Sequence, residues 1–308
     1  MGVLLRATAY HPSPSSSVLT ILEVGFGDGR FTAGLARRNP DDQILAVELS
    51  VGSVIRALKR FKRECIENVQ IYQGQAQFAL RNLVQPQSLS QIYVNFPDPW
   101  PKARHEDHRL LQASFFERLS TRLQDAGALY LTTDHEEYWQ FAQAQAQETG
   151  LYWVETAAPP PETLITKYAL KWKEQNRSFY HAVFTKQAQH PQPWTPLEVF
   201  PMPHALLTGQ LPQLQHFDKQ IIPFSGGTAV ILEAQCSLDH TGYTFLTHLE
   251  EEYLVQQVLI EVRPSDKGVF VGLSSFGAPL PTAGVKAAVR WLVGWLEGQG
   301  LRAVQKSY

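Results

Sequence analysis

The stretch VLTILEVGFGDG, residues 18–29, joins a short apolar run to three glycines at every second position. The run at residues 18–24 is typical of a buried strand. Glycines let the chain turn sharply after a strand and let a ligand approach the backbone closely. With a helix-like segment after the glycines, the order of strand, turn and helix predicts the opening of a nucleotide-type α/β sheet.

Further short apolar runs follow and alternate with amphipathic, helix-like segments. These runs lack clean polar alternation, which is typical of strands buried on both faces of a parallel sheet. A helix is predicted after Ser50, where Val51, Val54, Ile55 and Leu58 recur at helical spacing. The alternation predicts a doubly wound α/β domain. The predicted strand runs are residues 18–24, 43–49, 69–73, 91–96, 128–132, 151–155 and 181–184.

The character of the chain changes at residues 187–203, where five prolines fall within thirteen residues. Helices and sheet centres tolerate proline poorly, so we expect a linker there. Beyond it, strand-like runs follow one another without helices until an apolar helical stripe at residues 285–296. This order predicts a small antiparallel sheet packed on one helix. The expected divisions are a lead-in (1–17), an α/β domain (18–186), the linker (187–203) and an accessory α+β domain of unknown function (204–308).

The composition limits the class of protein. A hydrophobic content of 44% over 308 residues is typical of globular domains, and a net charge of −2 requires any RNA binding to use a local patch. Only Cys65 and Cys236 are present, so we expect neither a disulfide framework nor a metal site. With no secretory signal pattern and no apolar run long enough to cross a bilayer, we expect a soluble, cytoplasmic protein without membrane contacts.

Two acidic residues accompany the glycine turn. Glu23 stands just before the glycines, where a carboxylate would repel a pyrophosphate and favours a cationic amino-acid ligand such as the methionine part of S-adenosylmethionine. Glu48 ends the second strand run, where it can accept hydrogen bonds from ribose hydroxyls, a geometry that nicotinamide and adenosylmethionine folds share. The alternatives are an ordinary strand-to-helix turn and a solvated strand end.

The most specific stretch is NFPDPWPKARH, residues 95–105, which follows the fourth strand run. Prolines on both sides of Asp98 restrict its backbone, so Asp98 is expected to project rigidly at the carboxyl edge of the sheet, where open α/β folds bind ligands. The basic residues that follow are candidates for phosphate contacts. The alternative is a proline-rich loop with a chance basic tail.

This combination resembles the bacterial tRNA (guanine-N7-)-methyltransferase family over roughly residues 18–186. The resemblance rests on the Glu-x-Gly-x-Gly loop, the segment 96–109, Thr133-Asp134-x-x-x-Tyr138 and Thr166-Lys167-Tyr168. It implies a Rossmann-like class I methyltransferase sheet, S-adenosyl-L-methionine as the cofactor and tRNA as the partner. The implied reaction is methyl transfer to N7 of a guanine in a tRNA loop, the variable loop in the family, giving 7-methylguanosine.

The resemblance also assigns roles to residues. Asp98 is the implied catalytic residue. Guanine N7 is nucleophilic without losing a proton, so a fixed carboxylate is expected to orient the base and to stabilise the charge that develops on its ring. The implied cofactor contacts are Glu23, Gly25, Gly27, Glu48, Gln75 and Asp98, and the implied tRNA contacts are Lys102, Arg104, His105, Arg109, Asp134, Thr166 and Lys167.

Two residues depart from the family pattern. Gln75 stands where the family usually has an Asp that meets the adenine amino group, although Gln75 keeps a carbonyl acceptor. Ala169 stands where the family usually has Glu. Both departures support the alternative of a non-catalytic RNA-binding or scaffold protein, whereas the intact Asp98 and Lys102 oppose it.

Other enzyme classes fit less of the sequence. The glycine spacing and Glu23 disfavour a nicotinamide dehydrogenase. A methyltransferase acting on another substrate, such as a protein or a metabolite, leaves the segment 95–105 unexplained.

Basic residues cluster at 56–63, 102–109 and 167–177, and as a set they favour an RNA-binding surface on the first domain. From residue 187 onward, 10 Asp and Glu stand against 7 Lys and Arg, so we expect the second domain to be an accessory or interaction module.

Overall fold

The computed structural model describes residues 3–5, 19–164 and 178–308. Contacts within the chain divide it into two compact units, Met1–Pro196 and Leu197–Tyr308. The strands of the first unit are β1 (Val3–Leu5), β2 (Leu19–Val24), β3 (Gln43–Glu48), β4 (Val69–Gln73), β5 (Leu89–Asn95), β6 (Leu123–Thr133), β7 (Tyr152–Ala157) and β8 (Tyr180–Lys186). Its helices are α1 (Arg30–Arg38), α2 (Val51–Arg63), α3 (Ala76–Asn82), α4 (Ala113–Ser120) and α5 (Glu136–Thr149), with 3₁₀ helices at Ala103–His108 and Pro161–Thr163.

The strands of the first unit form one sheet in the order β1-β4-β3-β2-β5-β6-β8-β7. Strand β2 pairs in parallel with β3 on one side and with β5 on the other. The chain moves outward from β2 to β4 and then returns to the opposite side of β2 as β5. Because the strand order reverses there, the carboxyl ends of β2 and β5 form a topological switch point, the place where open α/β sheets bind ligands.

Strand β8 corrects one expectation from the sequence. It lies between β6 and β7 and is antiparallel to both, whereas its apolar run was interpreted as part of a parallel sheet. The apolar run at residues 181–184 predicted the burial of β8 correctly, since Ala182 and Phe184 are fully buried. A strand covered on both faces reads as apolar in either chain direction, so the pattern could not fix the direction.

Helix α2 forms where it was predicted, and its buried face is shifted from the predicted stripe: Val54 is buried and Leu58 packs against the core. Ser50 caps it by accepting a hydrogen bond from the Ser53 N–H at 3.4 Å. The buried residues are Ser53, Val54, Ala57 and Phe61, whereas Val51 and Ile55 are about half exposed. The smaller side chain of Ala57 lets the helix approach the glycine turn, and this tertiary contact overrides the more hydrophobic stripe.

The division between the units lies inside the Pro-rich segment, within the residues 187–203 that we expected to form a linker. Trp194 is buried in the first unit, and Arg122 donates from Nη2 to its carbonyl oxygen at 2.5 Å. The Arg122 guanidinium also lies 5.6 Å from the centroid of the Trp194 ring. Arg81 donates from Nε to the carbonyl oxygen of Thr195 at 2.8 Å. Trp194 and Thr195, near the end of the segment, are therefore held by the first unit.

The second unit is an antiparallel sheet with one long helix, as the sequence predicted. Its elements are β9 (His204–Thr208), β10 (Gln220–Phe224), β11 (Gly227–Cys236), β12 (Tyr243–Glu251), β13 (Leu254–Ser265), β14 (Gly268–Leu273), α6 (Ala283–Gly298) and β15 (Arg302–Ser307), with the strand order β10-β11-β12-β13-β14-β9-β15. The helix buries Val285, Ala288, Val289, Leu292 and Leu296, the stripe expected from the sequence. Alternate residues of the central strands, such as Phe245 and Ile260, complete the core.

Candidate active site

The glycine turn lies at the switch point and has an open side and a packed side. Gly25, Gly27 and Gly29 all have left-handed φ angles, 76°, 59° and 74°, which glycine adopts without strain. A Cβ atom added to Gly25 or Gly27 would meet nothing within 4 Å, whereas one added to Gly29 would lie 2.8 Å from the Cβ of Ala57. The first two glycines therefore leave space for a ligand, and the third allows α2 to pack closely.

Glu23, near the end of β2, is buried beneath this turn. It is only 2% exposed, and Thr32 Oγ1 on α1 donates a hydrogen bond to its Oε2 at 2.6 Å. Burial raises the pKa of Glu23 to about 8, and the neighbouring carboxylates of Glu48 and Asp28 add to the rise. A nearby cation favours the ionised form of such a carboxyl group. A cationic ligand beside Glu23 would therefore favour its ionised form.

Glu48 ends β3 and connects the glycine turn with α2. Its Oε2 accepts a hydrogen bond from the Gly27 N–H at 3.0 Å, and its Oε1 accepts one from the Ser50 N–H at 2.9 Å. Each carboxylate oxygen has a further lone pair for a ligand hydroxyl. The Gly74 N–H donates to the Glu48 carbonyl oxygen at 3.0 Å, which places the exposed Gln75 beside the end of β3.

The loop that carries Asp98 begins where β5 ends, next to the glycine turn. The pairing of Val24 with Val94 places Asn95 beside the start of that turn. Asn95 is 9% exposed, and neither of its amide atoms has a hydrogen-bond partner among the residues that the structure describes. Asp98 is exposed three residues later. The two loops therefore share one edge of the sheet.

The Asp98 loop has a strained backbone. Phe96 and Trp100 have φ angles of 54° and 43°, in the left-handed region that non-glycine residues rarely adopt. Such residues cost about 1–3 kcal/mol each and are characteristic of functional sites. The Phe96 N–H donates to the carbonyl oxygen of Thr132 on β6 at 2.7 Å, which fixes the start of the loop.

The predicted tRNA contacts on this segment fall into two groups. Lys102 and Arg104 are exposed, and His105 is half-buried with its ring centroid 5.9 Å from that of Trp100. His108 completes the ring cluster, at 5.1 Å from Trp100 and 5.8 Å from His105. Lys102 and Arg104 are thus free to meet a phosphate, whereas His105 also supports the Trp100 indole.

The structure places Arg109 differently from the expectation of an RNA contact. It is 7% exposed and donates from Nε to the Pro99 carbonyl oxygen at 3.0 Å and from Nη1 to Glu106 Oε1 at 2.6 Å. Its guanidinium lies 4.7 Å from the centroid of the Phe141 ring. These contacts use the charge and the planar face of Arg109 within the protein.

The other predicted contacts lie on neighbouring elements. Asp134 is half-buried directly after β6, on the same sheet edge as Asn95, because Asn95 pairs with Thr132. Thr166 and Lys167 lie outside the described residues, as does Ala169.

The basic residues on α2 are only partly available for RNA. Arg60 donates from Nε to the Asp28 carbonyl oxygen at 3.0 Å and forms an ion pair with Glu64 at 3.2 Å. Arg63 pairs with the same carboxylate at 2.9 Å. Lys59 and Lys62 are exposed. Arg60 therefore stabilises the glycine turn, and Arg60 and Arg63 both stabilise the end of α2.

Sequence reasoning missed Asn95, Glu106 and Phe141 as parts of the site. Asn95 and Glu106 stand within or just after the quoted motif, but nothing in the local pattern separates them from its other polar residues. Phe141 lies on α5, and only the tertiary structure brings its ring to Arg109.

Comparison with known proteins identifies the family to which this fold and site belong. A family model described as "Putative methyltransferase" matches residues 17–182, more than half of the chain. The fold and the site thus define a methyltransferase of the class that uses S-adenosylmethionine. Among solved structures, a precorrin-6y C5,15-methyltransferase from Geobacter metallireducens matches 57% of this chain and 83% of its own, with 15% identity and a TM-score of 0.40.

Relatives with closely similar sequences define the family more narrowly. A tRNA (guanine-N(7)-)-methyltransferase from Thermus thermophilus is 54% identical over 285 residues, 92% of this chain and 91% of that protein. One from Deinococcus radiodurans is 42% identical over 298 residues, 94% of this chain and 92% of that protein. The chain belongs to the tRNA (guanine-N(7)-)-methyltransferase family, which confirms the resemblance stated from its motifs.

In the described part of the chain, no helix combines the length and the apolar character that a membrane span requires.

Proposed function

We propose that the chain transfers the methyl group of S-adenosyl-L-methionine to N7 of a guanine in a tRNA loop, the variable loop in this family, giving 7-methylguanosine. The observation that carries the proposal is the adjacency of two loops at the switch point. The glycine turn follows β2, the Asp98 loop follows β5, and Val24 and Val94 pair directly before them. A methyl donor on the first loop and a base on the second would meet at one edge of the sheet.

The residues on this edge fit the methyl donor. The open space at Gly25 and Gly27 admits a ligand close to the backbone, and the buried Asn95 amide faces no protein partner among the described residues. Glu23 suits the cationic amino-acid part, and Glu48 offers acceptors for ribose hydroxyls. We propose Gln75, through its side-chain carbonyl, as the adenine contact. When bound, S-adenosylmethionine supplies an electrophilic methyl group on a sulfonium centre.

Asp98 is the proposed catalytic residue. Guanine N7 carries a lone pair and attacks without first losing a proton, so the protein need not provide a strong base. Positive charge develops on the imidazole ring of the guanine as the new N7–carbon bond forms and the sulfur–carbon bond breaks. A carboxylate fixed beside the ring stabilises that charge and holds the base through its N–H groups.

The surface beside Asp98 is the proposed tRNA contact. Lys102 and Arg104 are exposed on the same segment, and the centroid of the His105 ring lies 5.9 Å from that of Trp100. Asp134 lies on the same edge, where we propose that it contacts the target nucleotide with Lys102. The target guanine must be unpaired, because the major-groove edge that carries N7 is inaccessible in an A-form helix. We propose that the enzyme acts in the cytoplasm, because its proposed substrate is tRNA.

Direct assay of methyl transfer tests the function. The full chain is incubated with labelled S-adenosylmethionine and unmodified tRNA, and 7-methylguanosine is located by alkaline scission of the tRNA at the modified base. We expect label at a single loop guanine. No transfer despite intact cofactor binding would contradict the proposal and favour a non-catalytic RNA-binding protein.

The role of Asp98 is tested with Asp98→Asn and the matched control Asp107→Asn, which changes an exposed carboxylate nine residues further on. We expect Asp98→Asn to lower the rate at saturating tRNA by roughly 100- to 1,000-fold, in the range of other preorganised electrostatic contacts, with tRNA affinity retained. Asp107→Asn should keep the wild-type rate. Equal rates for the two variants would show that Asp98 does not stabilise the transition state.

We propose that the second unit is an accessory module and not part of the RNA surface. Its excess of Asp and Glu over Lys and Arg disfavours contact with a phosphate backbone. The relatives from Thermus and Deinococcus match more than nine-tenths of this chain, so their similarity extends into this unit.

A further inference from the structure

Arg109 holds the loop that carries Asp98 through hydrogen bonds to its backbone. Its Nε donates to the carbonyl oxygen of Pro99 at 3.0 Å, and its Nη2 lies 3.5 Å from the carbonyl oxygen of Trp100. These carbonyl groups belong to the first and second residues after Asp98. With 7% exposure, the Arg109 side chain is nearly removed from solvent.

The loop depends on donors from elsewhere because of its own composition. Pro97, Pro99 and Pro101 have no N–H group, so the loop has few backbone donors with which to stabilise itself. Strand β5 ends at Asn95, and the left-handed φ of Phe96, the next residue, prevents a regular continuation. A buried guanidinium provides five N–H donors in a fixed plane, which suits two successive carbonyl groups.

Two further residues hold the guanidinium in place. Glu106 accepts a hydrogen bond from Arg109 Nη1 at 2.6 Å, which balances the buried positive charge. The Phe141 ring covers the face of the guanidinium at 4.7 Å. Phe141 lies on α5, and α5 begins two residues after Asp134. The Arg109 contacts thus join the loop after β5 to the helix after β6, the two elements that would enclose the target base.

We infer that Arg109 is a positioning residue for Asp98, held by Glu106 and Phe141, and not a contact to the tRNA backbone. It fixes the carbonyl groups of Pro99 and Trp100, and thereby the direction in which the Asp98 carboxylate projects. The inference rests on the proposed function, because it concerns the orientation of the proposed catalytic residue. A Lys at this position keeps the charge but loses the planar set of donors.

Separating the rate from tRNA affinity tests the inference in the full-length protein. For Arg109→Lys, we expect the methyl-transfer rate at saturating tRNA to fall roughly 10- to 100-fold, since small displacements of a catalytic group have effects of that size. The KM for tRNA and the salt dependence of tRNA binding should remain those of the wild type. The comparison variant Arg104→Ala removes an exposed cation and should lower the salt-dependence slope by about one unit or slightly less.

Chemical rescue gives a second readout. An open cleft of about 440 Å³, lined by Pro101, Glu106, Arg109 and Phe141 among others, adjoins the guanidinium. In Arg109→Ala, free guanidinium ions can therefore reach the space that the side chain leaves. We expect added guanidinium to restore part of the rate of Arg109→Ala and to leave the rate of Asp98→Asn unchanged.

The outcomes separate the inference from the function. A wild-type rate in Arg109→Lys, or a loss of salt dependence in Arg109→Ala equal to that in Arg104→Ala, would overturn the positioning role while the function stands. A wild-type chain that makes no 7-methylguanosine would overturn the function itself. If the Arg109 variants do not fold, Glu106→Gln decides: it keeps every donor of Arg109 but weakens its anchor, and an unchanged rate would refute the inference.

Discussion

Replacing Gly29 with alanine should destabilise the first unit from inside the protein. Gly29 begins α1 with a φ angle of 74° and is buried. An added Cβ atom would lie 2.8 Å from the Cβ of Ala57 and 2.9 Å from the ring of Phe61. The Cβ of Ala57 moves only with its backbone, so α2 must shift away from the turn to relieve the contact.

Two physical terms set the size of the effect. A left-handed backbone with a Cβ atom costs about 1–2 kcal/mol. Overpacking a close contact between helix and turn adds about 1–3 kcal/mol. The free energy of unfolding should therefore fall by about 2–5 kcal/mol, a large share of the roughly 5–15 kcal/mol of a typical domain.

Gly27→Ala is the matched control, because its φ angle of 59° gives the same backbone strain while its Cβ meets nothing within 4 Å. It should cost only the backbone term of about 1–2 kcal/mol. Its methyl group projects into the space that we propose for the cofactor, so cofactor affinity should fall about tenfold or more, the equivalent of at least 1.4 kcal/mol.

Thermal unfolding with and without S-adenosylmethionine measures both effects. The transition that the ligand raises belongs to the unit that binds it, which separates the first unit from the second. Titration calorimetry then gives the cofactor affinity of each variant. If Gly29→Ala and Gly27→Ala lower the melting point equally, or lose cofactor affinity equally, the assignment of a packed and an open side to the turn is wrong.

Three further predictions concern buried groups. Burial raises the pKa of Glu23 to about 8 from 4.5, so the folded state holds this proton more tightly than the unfolded state does. The free energy of unfolding of the ligand-free protein should therefore fall as the pH rises from about 4.5 to about 8. Chemical denaturation across this range should show that the free energy of unfolding of Glu23→Gln changes less with pH than that of the wild type. Asn95→Leu removes a buried amide that has no hydrogen-bond partner among the described residues, so the free energy of unfolding should be unchanged or higher while methyl transfer slows. A normal rate of methyl transfer would show that the amide has no ligand. A protein truncated after Pro196 should keep cofactor binding. A protein truncated before Trp194 loses a carbonyl acceptor of Arg122, so its free energy of unfolding should be about 1–3 kcal/mol lower. Equal melting points for the two truncated proteins would contradict this prediction.

The sequence predicted those features that depend on local patterns of apolar residues. The seven strand runs of the first domain match β2 to β8, because a strand covered on both faces is a short continuous apolar run. The stripe of α6 is buried as expected, because burial on one face of a helix repeats at a fixed spacing. Strands β1, β9, β10 and β15 were not predicted. Strands β10 and β15 lie at sheet edges, where exposed residues such as Ile221 and Val304 remove the contrast between faces.

Features that depend on tertiary partners were beyond the sequence. The antiparallel direction of β8 follows from its place between β6 and β7, which no run of apolar residues specifies. The burial of Arg109 depends on Phe141, which lies 32 positions further along the chain. A basic residue after a proline-rich loop has the same local pattern whether it meets a phosphate or a backbone carbonyl.

The two hydrogen bonds to Glu48 also affect the entropy of binding. The N–H groups of Gly27 and Ser50 hold one carboxylate oxygen each, so the side chain is already confined to one rotamer. Ordering a free side chain of this kind on ligand binding usually costs about 0.5–1.5 kcal/mol. A nucleoside whose ribose hydroxyls meet Glu48 avoids that loss of entropy, and the difference should appear as a less unfavourable binding entropy than in a variant with a shorter acid at this position.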